Sequence, residues 1–127
     1  MYCVPWSLRK ILLWIKQNYN DPDIFITENG FSVEGEDSMK GESALQDKVR
    51  IQFLQEYLKE ALKAINQDGV KLKGYFYWSL MDNFEWSDGY RSRFGLYRVE
   101  FNDPERPRVA KNSAKAYKEI ILNNGFC

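Results

Sequence analysis

Apolar residues recur along this chain with two different spacings, and their alternation predicts helices and strands in turn. A first helix is predicted over residues 5–20, because Pro5 suits the first helical position and an apolar stripe follows at helical spacing: Leu8, Ile11, Leu12 and Ile15. The Asp21-Pro22 pair ends that helix and leads into a short, β-prone apolar run at residues 24–27. This run predicts a buried strand, after which the chain turns away at Asn29-Gly30.

The clearest helical pattern follows a polar loop. Residues 43–46 match a capping box, and from there to about Gln67 one helical face is apolar while the other is charged. The apolar face consists of Val49, Phe53, Leu54, Tyr57, Leu58, Ala61, Leu62 and Ile65. The preceding loop, residues 31–41, contains glycines and several acids, and we interpret it as an exposed variable loop, with a binding element as the alternative.

A second apolar run, residues 74–80, is rich in aromatic side chains and predicts another buried strand. Strand, helix and strand in this order describe a βαβ unit with parallel pairing, so the expected fold class is α/β. Glu28 directly follows the first strand, where α/β barrels hold their catalytic groups. The alternative is a surface glutamate in an ordinary strand-to-loop turn.

The last third of the chain begins with a long loop at residues 81–93. Residues 95–101 alternate well enough for a short strand or hairpin, and prolines mark a turn at residues 103–107. A final helix is predicted from about residue 112 to the Asn124-Gly125 pair.

Composition limits the chemistry that these elements can perform. The 127 residues suit one domain or one piece of a larger domain, and 44% of them are apolar. Eighteen basic residues balance eighteen acidic ones, so binding to nucleic acid or to an anionic membrane has no electrostatic support. The chain has no histidine, which removes Ser-His and Cys-His nucleophile pairs and imidazole metal sites. Acid–base chemistry would rest on carboxylates, and no metal or other cofactor is expected.

The ends of the sequence carry its two cysteines, Cys3 and Cys127, and whether either forms a disulfide is left open. The longest near-apolar run, residues 11–15, is too short to span a membrane, and no signal sequence is recognisable. The sequence therefore leaves the compartment undecided between secreted and cytoplasmic.

An aromatic and acidic segment follows the second strand, with the sequence WSLMDNFEW at residues 78–86. Trp78 and Trp86, with Glu85 beside the second of them, would make a chemically sensible sugar site. Indole faces stack on the apolar face of a pyranose, while a carboxylate accepts hydrogen bonds from its hydroxyls. The alternative is a tryptophan-rich loop packed on the rim of the fold.

Two motifs together carry a resemblance to a known family. The sequences ITENG at residues 26–30 and WSLMDNFEW at residues 78–86, followed by GY at 89–90 and RFG at 93–95, resemble the family 1 glycoside hydrolases, the β-glucosidase, lactase and myrosinase group. The resemblance covers essentially the whole chain and is closest to animal members; Ser7 departs from the glycine that commonly follows Pro-Trp. It implies that residues 1–127 are the C-terminal portion of a single (β/α)8 TIM barrel, about its last two βα units.

The resemblance also implies a role for each site residue. Glu28 would be the nucleophile that forms a covalent glycosyl–enzyme intermediate in a retaining mechanism. Glu85 would bind sugar hydroxyls, and Trp86 would donate its indole N–H beside it. Trp78 would stack under the sugar, and Phe94 would line the same pocket.

Further implications concern the backbone and the missing partner. The family has a cis peptide bond at the position of Trp78-Ser79, and we expect Asn29 to shape its turn rather than to contact a ligand. The family's acid/base glutamate belongs to a Thr-x-Asn-Glu-type motif, and no Asn-Glu pair occurs here. The predicted function is retaining hydrolysis of small-molecule β-glucosides and related β-glycosides by a longer protein. The alternative is a truncated, non-catalytic carbohydrate-binding or interaction module, and we expect the isolated chain to be aggregation-prone or molten.

Overall fold

The structure is a computed structural model that describes residues 2–126, and it alternates helices with strands as the apolar pattern predicts. In chain order the elements are α1 (Trp6–Asn18), β1 (Ile24–Asn29), α2 (Lys48–Asn66), β2 (Leu72–Tyr77), β3 (Tyr97–Val99), β4 (Arg108–Ala110) and α3 (Asn112–Asn123). Short 3-10 helices lie in the loops at Glu36–Ser38, Gly41–Leu45 and Trp86–Asp88. The α/β fold class is therefore confirmed.

The two longer strands form the predicted βαβ unit. β1 and β2 pair in parallel, with Ile26 beside Tyr75 and Asn29 beside Tyr77, and α2 connects them. β3 and β4 form an antiparallel pair in which Tyr97 lies opposite Ala110. The strand expected within residues 95–101 is confirmed as β3, whereas the sequence analysis did not predict β4. Because parallel strands end at the same edge of a sheet, the loops after β1 and β2 meet there.

The core lies between the sheet and the helices. One buried cluster joins α2 to β2 and consists of Phe53, Leu54, Tyr57, Tyr77 and Leu96. A second cluster joins α1 to α2 through Leu12, Ala64 and Val70. On the opposite face of the sheet, Phe25 is 58% exposed and Phe76 is 59% exposed. The helices thus cover one face of the strands and leave the other face apolar and open. The prediction of two buried strands is therefore wrong for that face.

Several boundaries differ from the predictions. β1 runs to Asn29 instead of ending at residue 27, so Glu28 lies within the strand and not after it. The capping-box prediction is wrong, because Ser43 lies in a 3-10 helix, where its hydroxyl donates to the carbonyl of Lys40 at 2.8 Å, and α2 begins only at Lys48. α1 ends at Asn18, since Asn20 takes a left-handed φ of 59°. β2 ends at Tyr77 instead of residue 80, because the following segment pairs with residues 94–97.

The loop after β1 also differs from its interpretation as exposed throughout. Glu36 is only 2% exposed, although Glu34 and Asp37 on either side lie in a solvent-accessible cleft. A buried carboxylate inside a polar loop needs partners. Those partners belong to the candidate site described below.

Candidate active site

Glu28 lies one residue before the carboxyl end of β1, and its side chain is exposed. The next residue, Asn29, is fixed on two sides by the neighbouring strand. Its main-chain oxygen accepts a hydrogen bond from the N–H of Trp78 at 3.1 Å, and its side-chain oxygen accepts one from the Tyr75 hydroxyl at 2.8 Å. The backbone that carries the Glu28 carboxylate is therefore anchored to β2.

The two sequence motifs meet at this strand edge. A Cβ atom added to Gly30 would lie 1.7 Å from the carbonyl oxygen of Trp78, so only glycine fits between the segments. The peptide bond between Trp78 and Ser79 is cis, as the resemblance implies. Trp78 is 37% exposed and follows β2 directly, which places it beside the turn after Glu28.

Phe94 is linked to the same rim by backbone hydrogen bonds. The N–H of Ser79 donates to the carbonyl of Phe94 at 3.2 Å, and the N–H of Leu96 donates back to the carbonyl of Ser79 at 2.9 Å. The chain after β2 thus leaves β1 and continues beside the segment that carries Phe94. This pairing is the physical reason that the second strand is shorter than its apolar run.

Glu85 and Trp86 lie in a tight turn between these paired segments. The N–H of Glu85 donates to the carbonyl of Gly89 at 2.6 Å, and the N–H of Asp88 donates to the carbonyl of Glu85 at 2.8 Å. Trp86 has a φ of 44° and is 82% exposed. Its indole is consequently open to solvent in this structure, whereas Glu85 is only partly exposed.

A cleft of about 650 Å³ collects part of the predicted site. Glu85 and Phe94 line one side of it, and the loop from Ser32 to Asp37 lines the other. Glu28, Trp78 and Trp86 are not among its lining residues. The structure therefore brings Glu85 and Phe94 together in one cleft and places Glu28 and Trp78 together at the strand edge, while Trp86 stands apart at the surface.

The segments that line the cleft also carry part of a group of buried charges that the sequence analysis missed. We call it the buried ion cluster, and each of its side-chain residues is at most 8% exposed: Glu36, Asp47, Arg50, Asp82, Arg93 and Lys111. Three carboxylates balance three cations, so the cluster is neutral as a whole. The sequence contains one indication that Arg50 is buried, because Arg50 lies at helical spacing with the apolar residues Phe53, Leu54 and Tyr57.

Arg50 joins α2 to both loops of the rim. Its guanidinium forms ion pairs with Glu36 and with Asp47, and it also donates to the carbonyl of Phe31 at 3.2 Å and to that of Arg93 at 2.8 Å. Burial acts to lower the pKa of Arg50, but the hydrogen bonds and charge of Glu36 outweigh it and raise that pKa further. The guanidinium therefore stays charged within the protein.

Asp82 holds the loop before Glu85 in place through donors from several segments. Its carboxylate accepts hydrogen bonds from the N–H of Gly95 at 2.9 Å and of Val99 at 3.3 Å. It also contacts Lys111 at 3.1 Å and Arg93 at 3.5 Å. A buried carboxylate satisfied by this many donors rigidifies its surroundings.

The described part of the chain has few features of other functional classes. Within residues 2–126, no group of three or more acidic or cysteine side chains is placed to hold a metal ion. Over the same range, no helix combines the length and the apolar character needed to cross a membrane. Cys3 is exposed, and Cys127, the other candidate for a disulfide, lies outside the described residues.

Parallel strands with helices on one face, and acidic and aromatic side chains at their carboxyl ends, are features of the α/β barrel class. The model of glycosyl hydrolase family 1 matches residues 1–126, and the chain belongs to this family. Its elements are a portion of the family's (β/α)8 barrel.

Two curated relatives and one solved structure illustrate the match. The chain is 49% identical over 126 residues to the human cytosolic β-glucosidase, covering 99% of this chain and 26% of that protein. It is 49% identical over 122 residues to human lactase/phlorizin hydrolase, covering 96% of this chain and 6% of that protein. A β-glucosidase from the fungus Humicola insolens, solved in complex with glucose, superposes with a TM-score of 0.89 at 37% identity, over 94% of this chain and 25% of that one. The chain thus spans about a quarter or less of each.

Proposed function

We propose that this chain is the C-terminal part of a glycoside hydrolase that cleaves β-glucosides and related β-glycosides with retention, and that Glu28 is its nucleophile. The observation that carries the proposal is the exposed Glu28 carboxylate at the carboxyl end of β1, on a backbone anchored to the next strand. The names of the relatives, a β-glucosidase and a lactase, support the same reaction class.

In a retaining mechanism, Glu28 would attack the anomeric carbon and form a covalent glycosyl–enzyme intermediate. A second carboxyl group would protonate the leaving oxygen and then activate the water that hydrolyses the intermediate. The two groups would be about 5–5.5 Å apart. Since the sequence has no Asn-Glu pair, we infer that this second glutamate lies on a part of the barrel outside this chain.

Substrate binding would divide between the two places that the structure keeps apart. Glu85 would accept hydrogen bonds from sugar hydroxyls in the 650 Å³ cleft, and Phe94 would line the cleft beside it. Trp78 would stack against the sugar at the strand edge, next to Glu28. Trp86, now 82% exposed, would become partly covered when its indole N–H donates to the sugar.

The first test measures the size of the native polypeptide. An antibody raised against α2 (Lys48–Asn66) is used for an immunoblot of the source tissue. We expect a band several times larger than 15.0 kDa, which we call the complete barrel protein. A band at the mass of this chain would contradict the hydrolase proposal, because the chain would then lack its acid/base partner, and would favour a carbohydrate-binding module.

The second test replaces the nucleophile in the complete barrel protein. Glu28→Gln keeps the shape of the side chain but replaces the nucleophilic carboxylate with a neutral amide, so turnover of 4-nitrophenyl β-glucoside should fall by more than about a thousandfold. Glucose binding, measured by calorimetry, should be largely retained. Glu119→Gln, at an exposed position on α3, is the control and should keep full turnover. Near-normal turnover of Glu28→Gln would remove Glu28 from the mechanism.

A further inference from the structure

We propose that Lys111 is a positioning residue for the sugar-binding cleft, and that its ion pairs fix the distance between the two sides of that cleft. The inference rests on the proposed role of Glu85 and Phe94 in sugar binding. Lys111 itself is 0% exposed, so it acts through its ion pairs and not by contact with a sugar.

The first side of the cleft is tied down at Glu36. This residue lies within the loop that lines the cleft with Ser32, Val33, Glu34, Gly35 and Asp37, and its carboxylate is paired with Lys111 and with Arg50. Its main-chain carbonyl also accepts a hydrogen bond from Arg98 at 3.2 Å. Glu36 is therefore a buried anchor of this loop, in addition to the carbonyl of Phe31, which accepts a hydrogen bond from Arg50.

The second side of the cleft is tied down at Asp82. This residue precedes Glu85 by three positions and contacts Lys111 at 3.1 Å. Asp82 also accepts a hydrogen bond from the N–H of Gly95, next to Phe94, at 2.9 Å. One buried carboxylate thus governs the positions of both cleft residues that the sequence motifs predict.

Lys111 joins these two anchors across a large distance in the sequence. Its ammonium contacts the carboxylates of Glu36 and Asp82, while its own N–H donates to the carbonyl of Leu96 at 2.9 Å. Without this ammonium the cluster would hold three carboxylates and two cations, with Glu36 and Asp82 left to repel each other. Removing one partner from a buried, paired set of charges leaves the others uncompensated. The two sides would then move apart or take up water.

The effect on sugar recognition distinguishes this role from general support of the fold. Lys111 directly precedes α3 and is fully buried, so its replacement should cost stability under either role. A positioning role predicts a change in sugar recognition that depends on Glu85, whereas a purely structural role predicts a loss of stability alone. A double-mutant cycle distinguishes the two.

The experiment compares Lys111→Met, Glu85→Gln and the double variant in the complete barrel protein. The readout is kcat/KM for 4-nitrophenyl β-glucoside and β-galactoside, which differ in the orientation of one hydroxyl. Lys111→Met should raise KM more than it lowers kcat and reduce kcat/KM for the glucoside by about 10- to 100-fold. Lys111→Met should reduce discrimination between the two sugars as Glu85→Gln does. The double variant should show little further loss of discrimination. Lys115→Met, exposed on α3, should behave as the wild type.

A second variant keeps the test decisive if Lys111→Met does not fold. Glu36→Gln combined with Lys111→Met removes the bridge but leaves two carboxylates and two cations, so the cluster stays neutral. It should also lose discrimination between the two sugars. A folded variant of either kind with wild-type discrimination, or strict additivity with Glu85→Gln, would overturn the positioning role. If Glu28→Gln and Glu85→Gln both left kcat/KM unchanged, the proposed function itself would instead be overturned.

Discussion

Gly30 and Trp78 touch through their backbones, and a side chain at residue 30 has no room. The carbonyl oxygen of Trp78 would lie 1.7 Å from a Cβ atom at that position, and its carbonyl carbon 2.7 Å away. These residues belong to the two separate motifs of the sequence. Their contact therefore sets how closely the turn after Glu28 approaches the segment that begins with Trp78.

Replacing Gly30 with alanine should force these two segments apart. Because the clash is with backbone atoms, the neighbour cannot relieve it by changing a rotamer, and we expect a loss of about 1–3 kcal/mol or more in the free energy of unfolding. Turnover should fall together with stability, since the displaced segments carry Glu28 and Trp78. Urea unfolding and glycosidase assays of the complete barrel protein measure both effects.

Gly125→Ala is the matched control for this variant. The nearest atom to a Cβ there is the carbonyl oxygen of Asn123 at 3.9 Å, an ordinary contact distance. The control should therefore unfold close to the wild type. Equal stability and turnover in Gly30→Ala would show that the two backbones are further apart than described.

The hydrogen bond from Tyr75 to Asn29 gives a second prediction. Tyr75→Phe would leave the side-chain oxygen of Asn29 without its donor at 2.8 Å, and an unsatisfied, partly buried acceptor costs about 1–3 kcal/mol. We expect kcat for a β-glucoside to fall with little change in KM, because Asn29 is adjacent to Glu28 and does not line the cleft. Tyr117→Phe, whose hydroxyl donates to the Tyr75 carbonyl at 3.2 Å, is the control. An equal fall in kcat in both variants would assign the effect to packing.

How much of this site can be predicted depends on how far apart in the sequence the interacting residues are. Glu28 at a strand end is a local pattern, and the sequence places it there. The helical stripes are local too, but they are only partly correct, since Ile11 is 48% exposed and Val49 is 52% exposed. The buried ion cluster is not local, since Lys111 and Glu36 are 75 residues apart. No pattern in the loop at residues 31–41 marks Glu36 as the buried acid, because its neighbours Glu34 and Asp37 have the same chemistry.

The end of the second strand also depends on residues that are distant in the sequence, so it could not be predicted from local patterns. Residues 74–80 are uniformly apolar or aromatic, apart from one serine, so composition alone cannot say where pairing with β1 stops. Pairing stops because Ser79 bonds to Phe94 and Leu96, which lie 15 or more positions further along the chain.

Alkaline pH should destabilise the protein through its buried tyrosines. Burial raises the pKa of Tyr77 from its ordinary value of 10.0 to about 12, although the charge of Arg50 acts in the opposite direction. Below pH 10 the Tyr77 hydroxyl is protonated in both the folded and the unfolded protein, so it adds no pH dependence to the free energy of unfolding. Between pH 10 and about 12 only the unfolded chain ionises, and stability falls by about 1.4 kcal/mol per pH unit for this group.

Tyr77→Phe should therefore lessen the loss of stability over that interval. The midpoint of urea unfolding of the complete barrel protein, measured from pH 9 to pH 12, tests this. Tyr2→Phe, at a position 93% exposed, should follow the wild-type curve. Parallel curves for Tyr77→Phe and the wild type would show that Tyr77 does not contribute.

The open face of the sheet predicts how the 127-residue chain behaves by itself. Phe25, Phe76 and Leu80 are each 58–61% exposed on or after the two paired strands, and each strand of the β1–β2 pair has a free edge. Parallel sheets are stable when both faces are covered, and free apolar edges favour association between chains. We expect concentration-dependent association and a broad thermal transition.

Substitutions on that face distinguish association through exposed apolar side chains from association caused by general instability of the chain. Replacing Phe25 and Phe76 with threonine keeps β-propensity and removes apolar surface, so association of the isolated chain should decrease. In the complete barrel protein the same pair should be destabilising, because we expect those side chains to be buried there. Sedimentation velocity and calorimetry measure both. A monomeric 127-residue chain with a sharp cooperative transition would contradict the prediction, since its four strands and three α-helices would then suffice as a folding unit.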